Sequence, residues 1–216
     1  MPQQPINVAL IGLSASATTS WASNAHLPYL ISSKGKQKYN LIALLNSSVE
    51  TAKQAIAHYN LPPETRAYGN PHDLAADPDV QLVVCSTRVD KHASTVRPSI
   101  EAGKEVFVEW PLAENPGVAK DLATLAAKKN VRTLVGLQGR VAPFYEKVTE
   151  ILGSGRIGKV LSSEVLASGG SVARDSLPEG LKYFTDKKVG GNVISIGFGH
   201  CKSHFLHTLG TILMIR

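Results

Sequence analysis

Apolar and polar positions run along this chain in alternating blocks. Ile6–Gly12 is a short β-rich run bounded by Pro5 and Gly12. Trp21–Ser32 has the spacing of a helix. Asn40–Asn46 is a second buried-type strand, and a helix through Tyr59 follows it with Ser47 at the capping position. Leu82–Ser86 and Val106–Glu109 are two more apolar runs, each followed by a helical stretch, Lys91–Ala102 and Gly117–Lys129. Arg132–Leu137 gives a fifth run. Continuous apolar strands separated by helices of about ten or more residues imply a parallel sheet covered on both faces. Right-handed crossovers then lead to an α/β, doubly wound sheet.

The pattern changes after Gln138. Phe144–Leu152 reads as a helix ended by the turn cluster Gly153–Gly158. Lys159–Ser168 alternates as a strand. A Gly-rich stretch follows, then a helix over His200–Leu209. One strand cannot bury a sheet face. The expected organisation is a Rossmann-type domain over residues 1–140, followed by a partial α+β domain over residues 141–216 for substrate and oligomer contacts. The ending Thr-Ile-Leu-Met-Ile-Arg leads us to expect a C-terminally truncated fragment, or the product of an altered reading frame. Such a chain would have an exposed apolar edge prone to association.

Composition narrows the class. The chain has 216 residues, 43% hydrophobic and 19% charged, which is a globular balance. The net charge of +6 comes from scattered residues, apart from Lys34, Lys36 and Lys38 in one expected loop. No basic stripe with interleaved aromatics marks a nucleic-acid binder. Two cysteines, Cys85 and Cys201, make no disulfide framework. The first residues lack a signal-peptide pattern, and no apolar run approaches the roughly 18 residues that span a bilayer. The expectation is an intracellular protein, cytoplasmic by default, with the nucleus not distinguished.

In a doubly wound sheet a cofactor sits at the carboxyl ends of the strands, near the point where strand order reverses. The first strand ends at Gly12, followed by Leu13 and Ser14. The usual Gly-x-Gly-x-x-Gly is reduced to Gly12, with Ser14 in the second glycine's place and a loop of Ser, Thr and Ala up to Ser20. Small residues permit close backbone approach, and their hydroxyls can donate to phosphate. A plain strand-to-helix turn explains the same residues equally well. The second strand ends in Asn46-Ser47-Ser48, where NAD-specific proteins carry an acid for the ribose. Asn46 can bond a ribose hydroxyl without repelling a 2′-phosphate, so NAD and NADP both stand. Ser47 is a helix cap, a phosphate contact or both. The run Leu82–Ser86 delivers Ser86 and Arg88 to the same edge, with His92 a turn later. Arg88 is either a phosphate partner or an exposed loop charge.

Several motifs together resemble the glucose–fructose oxidoreductase, inositol dehydrogenase and MocA family (Gfo/Idh/MocA). His26-Leu27-Pro28 resembles its His-x-Pro. Glu101-Ala102-Gly103-Lys104 followed by Val-Phe-Val-Glu-Trp-Pro resembles its Ala-Gly-Lys to Glu-Lys-Pro segment. Ile157–Val160 resembles the crossing into the second domain, and Gly190-Gly191 through His200 its Gly-rich substrate motif. Gly12-Leu13-Ser14, Trp21-Ala22, Glu109-Trp110, Leu137-Gln138-Gly139-Arg140 and Phe198-Gly199-His200 are similar to the fungal branch that includes the galactose-pathway repressor and its oxidoreductase-like relatives. The resemblance implies a dinucleotide site that includes Gly12, Ser14, Trp21, Asn46, Ser47, Ser86, Arg88, His92, Glu109, Trp110 and Gln138.

The resemblance also bears on catalysis. The family's enzymes use the lysine of Glu-Lys-Pro to orient substrate and move a proton. Here that position is Trp110, whose indole N–H donates a hydrogen bond but shuttles no proton at neutral pH. Trp110 either stacks on nicotinamide and lines the pocket or packs in the core. His200 is the remaining acid–base candidate. The family places aspartates four residues before and three after it, where this chain has Ile196 and Ser203. His200, His204, His207 and Cys201 resemble a metal site in composition, but the segment matches a metal-free motif and no metal is expected. Asp90, His92 and Ser94 lack a nucleophile elbow, and Asp90 reads as a helix cap.

Two functions follow. One is an NAD(P)-binding oxidoreductase acting on a sugar-like or other alcohol or carbonyl substrate. The other is a catalytically silent nucleotide-binding regulator whose partner is a transcriptional activator protein. Homo-oligomers fit either function.

Overall fold

The computed structural model describes residues 4–17, 19–164, 166 and 176–203. They belong to two compact units, Met1–Val135 and Gly136–Arg216.

The first unit is a six-stranded sheet in the order β3-β2-β1-β4-β5-β6. The strands are β1 (Ile6–Ile11), β2 (Tyr39–Leu45), β3 (Arg66–Tyr68), β4 (Leu82–Cys85), β5 (Glu105–Glu109) and β6 (Thr133–Gly136). β1 to β5 pair in parallel. Strand order reverses between β1 and β4, and the carboxyl ends at such a reversal are where a doubly wound sheet takes its ligand.

Side-chain alternation along each strand feeds two cores. Val8, Leu10, Leu44 and Val84 point to one face, against Leu27 and Leu30 of α1 (Leu27–Ile31) and Ala52 and Ala55 of α3 (Val49–His58). Ala9, Ile11, Leu45, Val83 and Val106 point to the other face. They meet Leu74 of α4 (Pro71–Ala76), Val96 and Ile100 of α5 (Val89–Glu101), and Leu122 and Ala126 of α6 (Pro116–Lys129). Val8, Ala9 and Leu10 have no exposure at all. Each fully buried aliphatic side chain contributes about 1.5–3 kcal/mol.

Several local expectations change. Ser48, not Ser47, caps α3. Its Oγ accepts from Thr51 N–H at 3.1 Å, and its own N–H donates to Thr51 Oγ1 at 3.1 Å, a reciprocal box that needs the residue three before Thr51. Asp90 lies inside the first turn of α5, whose cap position is Arg88, and its carboxylate is turned to that arginine. Lys34 and Lys36 belong to a one-turn helix, α2 (Ser33–Lys36), capped by Ser32. β3 and α4 were not expected. A three-residue strand is too short to show periodicity, and an edge position lets Arg66 and Tyr68 stand where a central strand would carry aliphatics.

In the second unit, Gln138–Val141 is a 3₁₀ turn and Pro143–Gly153 forms α7. Residues 159–164 and 166 form no strand, contrary to the alternation there. No neighbouring strand among the described residues pairs with them. The late helix starts at Val193, seven residues before His200, because Asn192 caps it with a side-chain oxygen accepting from Ile194 and Ser195 N–H. His204 and His207 lie outside the described residues.

Among the described residues no helix is long and apolar enough to cross a membrane. A wide groove of about 1050 Å³ runs along the amino ends of the strands, lined by Pro5, Tyr39, Leu61 and Gln81 among others. It lies at the opposite sheet edge from Gly12.

Candidate functional site

The carboxyl edge of the first unit is built on Gly12. Its N–H donates to Leu45 O at 3.1 Å, and its φ is +95°. A Cβ here would lie 2.5 Å from Ser86 O and 2.7 Å from the Thr87 methyl. The β1 and β4 loops therefore touch through a bare glycine, where a side chain would close the crevice. Ser86 N–H donates to Ile11 O at 3.0 Å, continuing the sheet past the end of β4.

Beyond Gly12 the chain buries Leu13 completely and turns outward. Ser14 Oγ accepts from Ser16 N–H at 3.2 Å, and Tyr59 OH donates to Ser14 O at 3.0 Å. Tyr59 was missed by sequence reasoning. It ends α3, 45 residues away, and no local pattern connects it to the loop. Trp21, at the head of the following helical segment, is 48% exposed. One wide turn, Ala22–His26, precedes α1 there.

Asn46 uses its side-chain nitrogen as a bridge. Nδ2 donates to Leu13 O at 2.7 Å and to Thr51 O at 3.2 Å. Both neighbours are carbonyl oxygens, which fixes which end of the amide faces them. Ser47 is exposed, with its Oγ 3.4 Å from Thr51 Oγ1.

Arg88 forks onto Asp90, with Nε 2.6 Å from Oδ1 and Nη2 2.8 Å from Oδ2. This pairing holds the Asp90 carboxyl below its ordinary range. The arginine is already engaged by a carboxylate, so the phosphate role expected of it would require sharing or leaving that pair.

His92 departs from expectation. It is 1% exposed, so it offers no surface to a ligand. Its Nδ1 lies 3.0 Å from Pro111 O and its Nε2 3.0 Å from Thr87 O. Burial pushes the imidazole below its ordinary pKa, against the pull of those carbonyls. His92 ties two site loops together from beneath.

Glu109 ends β5 and meets His26, with Oε1 2.6 Å from Nε2. The His-x-Pro and Glu-Trp-Pro motifs, separate in sequence, thus touch. Trp110 follows, half-buried, and the Trp110–Pro111 bond is cis. Cys85 is fully buried, and its thiol is pushed up by burial, which makes it inert packing.

Gln138 and His200 belong to the second unit. Gln138 opens the 3₁₀ turn and is exposed. His200 is half-buried on the helix that begins at Val193. Ser203, in the place of the family's aspartate, accepts from Arg140 Nε at 2.8 Å. Among the described residues no group of three His, Cys, Asp or Glu could hold a metal ion.

The carboxyl edge thus carries a side-chain-free floor at Gly12 and a serine-rich loop after it. Comparisons with known proteins bear on the same point. Residues 6–137 match the Gfo/Idh/MocA description "oxidoreductase family, NAD-binding Rossmann fold", and residues 143–215 match the Gal80p C-terminal domain. The dehydrogenase aclE of Aspergillus oryzae is 36% identical over 205 residues, 95% of this chain and 55% of that protein. The galactose/lactose metabolism regulatory protein GAL80 of Saccharomyces cerevisiae is 28% identical over 202 residues, 91% of this chain and 45% of its own length. The chain thus spans about half the length of these relatives. A super-repressor mutant of Gal80p from Saccharomyces cerevisiae superposes with a TM-score of 0.81 at 26% identity, covering 94% of this chain and 52% of that one. GenD2 from gentamicin A biosynthesis, solved with NAD, shares the fold with a TM-score of 0.71 at 18% identity, over 97% of this chain and 55% of its own. The chain belongs to the Gfo/Idh/MocA oxidoreductase family, with that family's NAD-binding Rossmann fold in its first unit.

Proposed function

We propose that residues 1–140 bind NAD or NADP at the carboxyl edge, as the nucleotide half of an oxidoreductase acting on a sugar-like or other alcohol or carbonyl substrate. The observation that carries this is Gly12, held against Ser86 and Thr87 at the reversal of strand order. Gly12, Ser14 and Ser47 would face the pyrophosphate and adenosine ribose. Trp21, Ser86, Glu109 and Trp110 would border the nicotinamide side. A bound nicotinamide would supply the hydride acceptor or donor. Residues 141–216 would supply part of the substrate side, with Gln138 at the crossing and His200 as the group that holds or moves a proton.

A second reading rests on Trp110. An indole cannot take up or release the hydroxyl proton that a lysine would handle. His200 also has Ile196 and Ser203 where carboxylates would orient it. A nucleotide-binding regulator that presents its surface to a transcriptional activator needs neither group. The likeness of residues 143–215 to the Gal80p C-terminal domain favours this reading.

The test is a titration of the purified chain with NAD⁺, NADH, NADP⁺ and NADPH, followed by tryptophan fluorescence. It is paired with a search for hydride transfer across a panel of sugars and alcohols. Saturable quenching with turnover supports the oxidoreductase. Quenching without turnover, for the native chain and for Trp110→Lys alike, supports the regulator. No binding by a folded chain refutes both.

A further inference from the structure

We propose that His26 and His92 are positioning residues that brace Trp110 from either side, holding its indole as a fixed plate for the nicotinamide ring. The proposal rests on the dinucleotide reading above.

Trp110 lies between two residues that are each tied to a histidine. On the amino side, Glu109 Oε1 is 2.6 Å from His26 Nε2, with both side chains largely buried. The His26 ring also stands edge-on to Phe107 of β5, with centroids 5.4 Å apart and planes at 78°. This joins the wide turn before α1 to the end of β5. On the carboxyl side, Pro111 O is 3.0 Å from His92 Nδ1. The same ring reaches Thr87 O at 3.0 Å through Nε2. Thr87 in turn presses on Gly12.

The two ties have different chemistry. Glu109 accepts a short, charge-assisted hydrogen bond, which is stronger and more directional than a neutral one. His92 is 1% exposed and neutral, so its ring carries one N–H for two facing carbonyl oxygens; in the Nδ1–H tautomer it donates to Pro111 O, and a ring without N–H groups deletes that bond. A stacking surface is useful only if it is fixed before the ligand arrives, since ordering it on binding weakens affinity. The two histidines hold the backbone on each side of the indole. His26 and His92 belong to different helical segments, so the braces act independently on either side of one residue.

The experiment uses the full chain in a Trp21→Phe background, which leaves Trp110 as the single tryptophan of the two in the sequence. Acrylamide quenching of Trp110 without ligand reads its mobility, and NADH and NADPH titrations read affinity. His26→Phe keeps a ring against Phe107 and deletes the bond to Glu109. It is expected to raise the quenching constant about twofold and weaken dinucleotide affinity about tenfold, the scale of one lost charge-assisted bond. Glu109→Gln keeps an acceptor for His26 but removes its charge, and is expected to raise the ligand-free quenching constant in the same direction as His26→Phe and by less. His92→Phe is expected to behave like His26→Phe. If it fails to fold, His26→Phe alone decides. A merely structural role predicts a lower unfolding midpoint with unchanged Trp110 quenching in the folded protein, and that result would overturn the proposal. If the wild-type chain, with Trp21 in place, binds neither NADH nor NADPH, the dinucleotide reading falls. The quenching measured without ligand still decides whether the histidines hold the indole.

Discussion

Replacing Gly12 with alanine tests the geometry of the crevice directly. The added Cβ would sit 2.5 Å from Ser86 O, 2.7 Å from the Thr87 methyl and 2.9 Å from the Ser86 carbonyl carbon. Ordinary contact would require the β4 loop to retreat by about an ångström. The backbone at φ +95° adds a cost of roughly 1–2 kcal/mol for a residue with a Cβ. Overpacking against backbone adds about 1–3 kcal/mol, because the Ser86 N–H is bonded to Ile11 O and holds that peptide in place. Together they amount to roughly 2–5 kcal/mol, a large part of the 5–15 kcal/mol typical of a domain. The matched control is Gly103→Ala, with φ +82° and nothing within 4 Å of a new Cβ. It carries only the conformational cost. Urea unfolding of both variants, followed by circular dichroism, should show Gly12→Ala losing about 1–2 M in midpoint and Gly103→Ala about half a molar. Dinucleotide affinity should fall in Gly12→Ala and hold in Gly103→Ala. Equal midpoints for the two variants would show that the contact with Ser86 and Thr87 contributes nothing, and the argument for a preformed crevice would fail.

Three further outcomes are expected. His92 has a lowered pKa through burial, so between that value and the unfolded value near 6.5 the unfolded chain binds more protons. Its contribution is present above that window and lost as pH falls through it. Urea midpoints at pH 8 and pH 5.5 should show the gap between wild type and His92→Gln shrinking in acid, whereas a constant gap refutes the assignment. Asn46→Asp, the substitution that would restore an acid for NAD, should instead destabilise by about 2–3 kcal/mol, because a carboxylate would face Leu13 O and Thr51 O. Calorimetric titration that finds tighter NADH binding with unchanged stability would contradict this. Asp77→Ala removes a buried carboxylate that accepts from Arg66 Nη1 at 2.7 Å and Tyr68 OH at 2.8 Å. With Arg66 about a third exposed, the expected loss is roughly 2–3 kcal/mol, read as a lower urea midpoint. A midpoint within error of wild type would refute it.

The central strands were legible because a parallel strand buried on both faces must be apolar throughout. Val8–Ile11, Ala43–Leu45 and Val83–Cys85 show this as unbroken runs. β3 was hidden because Arg66 and Tyr68 pay their way at the edge through Asp77 rather than through apolar burial. The site was legible as a place and much less as a set of contacts. Gly12 could be picked out because glycine has few reasons to end a strand. The roles of Asn46, His92 and Tyr59 depend on partners that are 33, 19 and 45 positions distant. His26 and Glu109 are 83 positions apart, and only the folded sheet brings them into contact. The alternation of Lys159–Glu164 misled because periodicity records which faces a strand could present, whereas a strand forms only with a neighbour, and none among the described residues pairs with this stretch.

The position of β1 has a consequence for how the chain is made. It is synthesised first, yet one of its two neighbours, β4, begins 71 residues after Ile11 in sequence, at Leu82. Val8–Ile11 are almost wholly shielded in the finished sheet. On the ribosome they emerge with one flank unpaired until Leu82–Cys85 follow, a delay of several seconds at ordinary translation rates. A nascent chain arrested before Leu82 should therefore be cut readily by protease, and one released past Glu109 should resist. The crevice that receives the ligand and the interval in which the newborn chain is most adhesive arise from the same decision, to place the first strand in the middle.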